Sequence, residues 1–385
     1  KTRLYYGRWR YKYEQAGKAG AAGALIIHTE HSAGYPWQVV QSSWSGEEFY
    51  LPDDGSPKPL LTGWTTEDAS KRLVQLAGMN LDELRAQAEK REFKPVPLGI
   101  KLSLNIKATL NRTQTANVIG KLVGSDPQRA REAVIYTAHH DHLGIRASKA
   151  GEDVKTDRIY NGALDNASGV ASLLAIARAM SEQPRRKGAP KRTVYFAAVG
   201  AEEQGLLGSQ YMAAHPPVPA GRIAANINMD GMSIWGRTRD LTVIGLGKSS
   251  LDKLILDLAR AQKRTVVADQ FPDKGSYYRS DQFSFARVGV PGAYLKGGTD
   301  VIGKPEGWGV AQQEAFVKTD YHQPSDELRD HWDFSGAVQD ASLLLNLGLR
   351  VANARDLQQW VPGDEFEAIR QKAIADAAEL LVTGQ

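Results

Sequence analysis

The sequence contains no cysteine among its 385 residues. Disulfide bonds, thiolate zinc sites and a cysteine nucleophile are therefore excluded. Any metal ion bound by this chain must be held by histidine and carboxylate side chains. The lack of cysteine does not decide the compartment, because a chain of this length can bury enough apolar surface to fold without cross-links.

The sequence also lacks a long hydrophobic run and a charged tail. No apolar stretch approaches the roughly 20 residues that a membrane-spanning helix needs, so we expect no membrane span. The net charge of +4 is spread over 48 basic and 44 acidic residues, a pattern that does not indicate a nucleic-acid partner. The chain begins at Lys1 without a methionine or an apolar signal segment, which predicts a processed or truncated chain.

The character of the sequence changes after about residue 100. Residues 1–100 contain a short apolar strand pattern that ends at His28 and two helical patterns, at Thr66–Leu76 and Leu81–Lys90. They contain no dense group of polar residues with ligand spacing, and we interpret them as an accessory domain. In residues 101–385 strand and helix patterns alternate, which predicts an α/β domain with a central sheet flanked by helices.

The predicted strands of residues 101–385 are short. Ser103–Thr109 alternates between polar and apolar residues, and Ala133–Ala138 is a continuous apolar run, as expected for a strand covered on both faces. The predicted strands lie at Ser103–Thr109, Thr115–Leu122, Ala133–Ala138, Thr193–Val199, Ile223–Met229 and Gly292–Leu295. The predicted helices lie at residues 167–180, Leu251–Gln262 and Phe334–Ala352.

Polar side chains follow directly after several of these strands, where sites form in open α/β sheets. The first group is His139-His140-Asp141-His142, after the strand Ala133–Ala138. On an extended backbone His139 and Asp141 point to the same face. We therefore expect Asp141 to hydrogen-bond the far ring nitrogen of His139, which is a usual arrangement behind a metal-bound histidine.

Two further groups supply carboxylates. Asp165, in the stretch GALDNASG, precedes the helix at residues 167–180; it either caps that helix or reaches two metal ions, one per oxygen. Glu202 and Glu203 follow the strand Thr193–Val199, and adjacent carboxylates repel each other unless a cation lies nearby. One can then bind the metal while the other takes a proton from water; a solvated loop is the alternative.

The last two groups are Asp230, at the end of the strand Ile223–Met229, and His322, in the stretch YHQPSD. Each alone is typical of a turn or loop. With His139, Asp165 and Glu203 they supply two imidazoles and three carboxylates. Nitrogen and oxygen donors without sulfur suit zinc, with cobalt and manganese as alternatives.

The order of these motifs resembles the M28 family of zinc peptidases. The motifs are H-x-D, D-N-A-S-G, E-E, N-x-D, S-D and H-x-P-x-D; they span about residues 137–326, and the surrounding elements extend the match from roughly 105 to 352. The resemblance implies a zinc exopeptidase fold with a mixed, mostly parallel sheet. It also implies that residues 1–100 are similar to the protease-associated domain of many secreted members.

Carried over to this chain, the resemblance implies two zinc ions. His139, Asp165 and Asp230 would hold one ion; Asp165, Glu203 and His322 would hold the other, so that Asp165 bridges the two. The residues expected to support these ligands from behind are Asp141, Asp281 and Asp326.

The resemblance further implies that Glu202 is the general base and later the general acid. Tyr277 would help to stabilise the oxyanion, with Tyr278 as its competitor. One departure concerns the residue after Ser280-Asp281, which is commonly histidine and is Gln282 here. The ligands are unaffected, but substrate contacts in this loop are not transferred.

The expected activity is therefore removal of N-terminal residues from peptides by water activated between two zinc ions. The alternatives are a carboxypeptidase of the same fold, for which Arg279 and Lys296 would grip substrate carboxylates, a single-zinc cyclase, and a receptor-like module that only binds partners. The resemblance implies a secreted or periplasmic location. Residue preference and oligomeric state do not follow from the sequence.

Overall fold

The computed structural model describes residues 5–44, 47–52, 55–148, 151–182, 189–270 and 272–382. The chain divides into two compact units. The smaller consists of Arg3–Gln41 and Asp53–Gln114, and the larger mainly of Ser42–Pro52 and Thr115–Gln385. The division lies at Gln114, beyond the boundary expected at residue 100, and the segment Ser42–Pro52 belongs to the larger unit. The resemblance of residues 1–100 to a protease-associated domain stays a prediction.

The smaller unit contains a two-stranded parallel sheet, β1 (Gly23–His28) with β2 (Leu61–Thr66). Its helices are α1 (Trp9–Lys18), α2 (Glu30–Ala33), α4 (Glu67–Leu76) and α5 (Leu81–Ala88), and α3 (Trp37–Ser43) runs into the larger unit's segment. Side chains of Thr66 and Asn80 accept backbone N–H groups at the starts of α4 and α5, which fixes where these helices begin.

The strand predicted at Ser103–Thr109 is wrong, because residues 101–117 form no helix or strand. Leu104 and Ile106, the large apolar residues of the alternating pattern, are 54% and 66% exposed. A strand needs a pairing partner and a surface on which to bury its apolar face. Alternation alone provides neither.

The larger unit is built on a seven-stranded sheet in the order β10-β9-β11-β8-β4-β7-β3. Its strands are β3 (Val118–Leu122), β4 (Ala133–His139), β7 (Thr193–Val199), β8 (Ile223–Asn228), β9 (Asp240–Ile244), β10 (Thr265–Ala268) and β11 (Gly292–Gly297). The pairs β3–β7 and β11–β9 are antiparallel and the others are parallel. A separate antiparallel pair joins β5 (Gly144–Ile145) to β6 (Ile159–Tyr160). The predicted mixed, mostly parallel α/β fold is confirmed.

Helices cover both faces of this sheet. They are α6 (Ser168–Ser181), α7 (Leu207–Ala214), α8 (Leu251–Ala261), α9 (Gln282–Ala286), α10 (Trp308–Thr319), α11 (Ser335–Asn353) and α12 (Glu367–Val382). All seven residues of β4 are buried. Val134, Tyr136 and Ala138 pack with α6, α8 and α11, whereas Ala133 and Ile135 pack with α7 and α9 on the opposite face. The centre of the sheet is thus covered on both sides, which leaves its strand ends as the place for polar groups.

In the part of the chain that the structure describes, no helix has both the length and the hydropathy that crossing a membrane requires.

Candidate metal centre

Three neighbouring parallel strands bring three of the predicted ligands to one edge of the sheet. His139 is the last residue of β4, Glu203 lies four residues after β7, and Asp230 lies two residues after β8. Asp165 comes from the short turn Ala163–Ala167 before α6, and His322 from the loop after α10. Five residues that are remote in sequence therefore meet at the carboxyl ends of β8, β4 and β7.

The two oxygens of Asp165 face two different histidines. Oδ1 lies 2.9 Å from His139 Nε2, and Oδ2 lies 3.3 Å from His322 Nε2. Beyond them, His139 Nε2 is 3.7 Å from Asp230 Oδ1, and His322 Nε2 is 3.2 Å from Glu203 Oε2. These five side chains are only 1–16% exposed. The arrangement is a row of donors with Asp165 in the middle.

The donor atoms fit zinc. Two ligands of a tetrahedral zinc ion lie about 3.3 Å apart when each bond is about 2.0–2.1 Å, which matches the distances around His322. Among the described residues, His322 Nε2 and Glu203 Oε1 are buried and have no hydrogen-bond partner, although buried polar atoms normally have one. A metal cation between these three carboxylates would also offset their mutual repulsion.

Groups behind the ligands hold them in place. The carboxylate of Asp326 accepts the backbone N–H of Leu164 at 2.9 Å and that of Asp165 at 3.0 Å. A hydrogen bond of 2.6 Å joins Ser43 Oγ, in the larger unit, to His322 Nδ1. That bond leaves Nε2 of His322 directed at Asp165 and Glu203. A bound histidine typically has such a partner on its other nitrogen.

Asp230 is positioned by Ser280, whose hydroxyl donates to Asp230 Oδ2, and by Lys296, which donates to the Asp230 carbonyl. Burial works to raise the pKa of the Asp230 carboxyl, but the charge of Lys296 and the nearby His139 outweigh it and lower the pKa. Asp230 is therefore held as a carboxylate, the form that binds metal.

The backbone around the cluster is unusual as well. Four non-glycine residues of the described chain have a positive φ, and three of them, Ala201, Leu206 and His322, flank or belong to the site. Side chains other than glycine rarely adopt this region, and such conformations gather at functional sites.

Comparison with known proteins places this geometry in a family. The model of peptidase family M28 matches residues 117–345, more than half of the chain. The chain belongs to peptidase family M28. Aminopeptidase YwaD of Bacillus subtilis is 27% identical over 323 residues, which cover 82% of this chain and 55% of that protein. A probable zinc metalloprotease of Pyrenophora tritici-repentis is 36% identical over 99 residues, 26% of this chain and 18% of that protein.

Among solved structures, an aminopeptidase from Aneurinibacillus sp. strain AM-1 aligns with a TM-score of 0.49 at 19% identity, over 91% of this chain and 68% of that one. This M28 chain thus spans about half the length of YwaD and less of the fungal relative.

The role expected for Asp141 differs from the one that the structure gives it. Both oxygens of Asp141 accept the backbone N–H of Ala201, at 2.8 and 2.7 Å, and His139 Nδ1 has no hydrogen-bond partner among the described residues. Asp141 therefore holds the turn that leads into Glu202 and Glu203 instead of the ring of His139. His139 and Asp141 were expected to point to the same face of an extended strand. Because β4 ends at His139, Asp141 lies beyond the strand and makes a different contact.

Glu202, the expected general base, lies beside the five predicted metal ligands. It offers a carboxylate oxygen within 4.8 Å of donors from His139 and Glu203. Burial raises the pKa of Glu202 well above its ordinary value; His139 opposes this shift, and the charges of Glu203, Asp230 and Asp281 add to it.

The ring of Tyr277 lies beside Lys248 and Phe366. Burial raises the pKa of Tyr277, and the carboxylates that add to this effect are Asp364, Glu365 and Asp252. None of these belongs to the cluster. This placement does not support the expected role of Tyr277 at the oxyanion.

Tyr321, next to His322, has the neighbourhood that was expected for Tyr277. Burial raises the pKa of Tyr321, and the carboxylates that add to this effect are Asp165, Glu203, Glu202 and Asp230. Its ring lies 3.9 Å from the ring of His322, centre to centre. In the sequence, the only indication of this role for Tyr321 is that it directly precedes the predicted ligand His322.

Two neighbours of Ser280 are buried in the same region. Asp281 is fully buried, and in the described chain neither of its carboxylate oxygens has a hydrogen-bond partner; burial raises its pKa to about 7. Gln282 accepts from Asn228 and donates to the Tyr277 carbonyl. The residue that departs from the common family pattern therefore serves to join β8 to the loop before α9.

His142 was not among the predicted ligands, yet it lies inside the cluster. Its Nδ1 is 2.7 Å from Glu203 Oε1, and its side chain is 3% exposed. His142, Asp165, Glu203 and His322 all offer a donor atom within 4.8 Å of one another. The third histidine of the stretch HHDH was its signal in the sequence.

Proposed function

We propose that the chain is a di-zinc aminopeptidase that removes residues from the amino end of peptides. The observation that carries this proposal is the position of Asp165, whose two oxygens face the imidazoles of His139 and His322 on opposite sides. A carboxylate shared in this way is suited to join two metal ions about 3.5–4 Å apart. The similarity to aminopeptidase YwaD of Bacillus subtilis supports the proposal.

In this proposal His139, Asp165 and Asp230 hold one zinc ion, and Asp165, Glu203 and His322 hold the other. Bound zinc would polarise the scissile carbonyl and lower the pKa of water toward neutrality. Lys296 and His139 keep the pKa of Asp230 low, and Asp326 and Ser43 keep Asp165 and His322 oriented.

Glu202 is the proton carrier of the proposed reaction. Its carboxylate lies beside the ligands, and it is buried in surroundings that raise its pKa. It takes a proton from the attacking water and delivers it to the nitrogen of the leaving amine. The hydroxyl of Tyr321 is the group we assign to the developing oxyanion.

The preference for a free amino end follows from what the ligands leave over. Two zinc ions would neutralise the carboxylates of Asp165, Glu203 and Asp230, and the free α-amino group of the substrate would be held by a zinc ion and by the carboxylate of Glu202 beside it. A carboxypeptidase needs cations for its substrate instead. Lys296 already donates to the Asp230 carbonyl and lies over the Tyr294 ring, so this cation is engaged.

The test is hydrolysis of matched peptides that differ only in an acetyl group on the amino end, with zinc added to the purified chain. We expect cleavage of the free peptide, one residue at a time from the amino end. Cleavage from the carboxyl end, or equal cleavage of the acetylated peptide, contradicts the aminopeptidase assignment.

A variant tests the assignment of Glu202. We expect Glu202→Gln to retain both zinc ions and to lower kcat about 100- to 10,000-fold, the range typical of a lost general base. Glu306→Gln, at an exposed position, is the matched control and should turn over normally. Near-normal turnover by Glu202→Gln would remove Glu202 from the mechanism.

We also propose a secreted or periplasmic location and a protease-associated identity for residues 1–100, both on the strength of the family resemblance. Fractionation of cells that produce the natural gene product tests the location, and cytoplasmic accumulation contradicts it. An experimental structure of the smaller unit tests the domain identity, which fails if the strand order differs from that of protease-associated domains.

A further inference from the structure

His142 lies in the loop between β4 and β5, three residues after His139. The side chain is 3% exposed and its Nδ1 is 2.7 Å from Glu203 Oε1. In the described part of the chain, neither ring nitrogen of His142 nor Oε1 of Glu203 has a hydrogen-bond partner with good geometry. A buried nitrogen and a buried oxygen this close are placed as two ligands of one metal ion would be.

The ring of His142 also faces that of His322. The two ring centres are 5.2 Å apart and the planes meet at 84°. Asp165 and Glu203 complete the group, with all four donor atoms within 4.8 Å of one another. Two imidazoles and two carboxylates around one point form a complete tetrahedral set for zinc.

The backbone fixes the distance between His142 and the turn that carries Asp165. Gly162 adopts a φ of +60°, and a Cβ at this position would lie 2.6 Å from His142 Cβ and 2.7 Å from His142 Cγ. Only glycine permits both the conformation and the close approach. His142 is thus packed directly against the start of the Asp165 turn.

We propose that His142 is a fourth protein ligand of the metal position formed by Asp165, Glu203 and His322. This inference rests on the proposed function, because it assumes that the cluster binds two zinc ions. The two positions then differ: one has four protein donors and is closed, and the other, with His139, Asp165 and Asp230, keeps a place for water or substrate. The ion at the position with four protein donors would then be held more tightly than the ion that keeps a place for water or substrate.

The test compares zinc affinities measured by competition with a chromophoric chelator. Replacing a group behind a ligand costs about 10–100-fold in metal affinity, so we expect His142→Ala to weaken one of the two binding steps more than about 100-fold. The other step should not change. His140→Ala, at the exposed neighbouring histidine, is the control and should leave both steps unchanged.

A second variant separates a ligand from a hydrogen-bond partner of Glu203. His142→Asn keeps an N–H donor for Glu203 but removes the imidazole nitrogen that would bind zinc. We expect the same loss as for His142→Ala. Wild-type affinity in His142→Asn, or two unchanged steps in His142→Ala, overturns the proposal.

A measurement on the wild-type chain does not depend on a variant that folds. X-ray absorption at the zinc edge of the two-zinc protein should give about 1.5 imidazoles per ion, because three rings are shared by two ions; about 1.0 overturns the proposal. Hydrolysis of the free-amine peptide by the same sample separates the two conclusions. About 1.5 imidazoles without peptide cleavage retains His142 and refutes the proposed function, whereas about 1.0 with cleavage does the reverse.

Discussion

Asp326 connects the stability of the chain to its metal centre, and Asp326→Asn tests that connection. The two carboxylate oxygens accept the backbone N–H groups of Leu164 and Asp165, at 2.9 and 3.0 Å, and the residue is 1% exposed. Asparagine retains one acceptor. Its NH2 group must then face the N–H that the second oxygen had accepted.

The cost follows from these two contacts. A hydrogen bond to a charged group contributes about 1.5–3 kcal/mol, and a buried donor left without a partner costs about 1–3 kcal/mol. We therefore expect Asp326→Asn to lower the free energy of unfolding by about 3–5 kcal/mol. The turn that carries Asp165 would lose its anchor, so zinc affinity should also fall, by about 10–100-fold.

The assay is urea unfolding of the metal-free chain, followed by zinc titration under native conditions. Asp330→Asn is the matched control, because Asp330 is exposed four residues further along the same loop; a surface change of this kind is expected to stay within about 0.5 kcal/mol. If Asp326→Asn unfolds like Asp330→Asn and binds zinc normally, the Asp326 contacts do not hold the Asp165 turn and the reasoning is refuted.

Three further predictions concern the same centre. Ser43→Ala removes the hydrogen bond to His322 Nδ1 and should weaken zinc binding about 10–100-fold in chelator competition; unchanged binding would show that His322 needs no such partner. Tyr321→Phe should lower kcat about 100-fold and Tyr277→Phe much less, so a larger loss in Tyr277→Phe contradicts the assignment. Removal of zinc by a chelator should lower Tm, because a ligand at about 1,000 times its Kd stabilises the folded state by about 4 kcal/mol; an identical Tm with and without zinc argues against tight sites.

The sequence alone predicts those parts of the site that depend on the local pattern of apolar and polar residues. Buried parallel strands are recognisable as apolar runs, and their carboxyl ends must meet at one edge, so His139 and Asp230 could be expected to converge. Asp165 also passes for a helix cap when its stretch is taken alone. The geometry separates the two interpretations, because Asp165 Oδ1 and Oδ2 face His139 and His322.

The sequence was insufficient where a contact depends on loop paths. Ser43 comes from the short segment Ser42–Pro52 and lies 279 residues before His322 in the sequence, and no local pattern connects them. Asp141 accepts from Ala201 because the chain leaves the strand at His139. His142 depends on the same loop, which brings the third histidine of HHDH back against Gly162.

The placement of Tyr277 could not be read from the sequence for a related reason. Tyr277 was chosen for its spacing to Ser280-Asp281, but spacing does not say which way a ring points after a turn. The structure gives Tyr277 an aromatic and cationic environment beside Phe366 and Lys248. The strand expected at Ser103–Thr109 shows the same limit for backbone, because an alternating pattern does not create a partner strand.

The central claim is that this M28 chain is an aminopeptidase that works with two zinc ions around Asp165. The most direct test is to add zinc stepwise to the metal-free chain while following hydrolysis of a peptide with a free amino end. We expect no turnover without metal, a rise to a plateau at two zinc ions per chain, and no cleavage of the acetylated peptide. Full turnover by the metal-free chain, or a plateau at one ion, would contradict it.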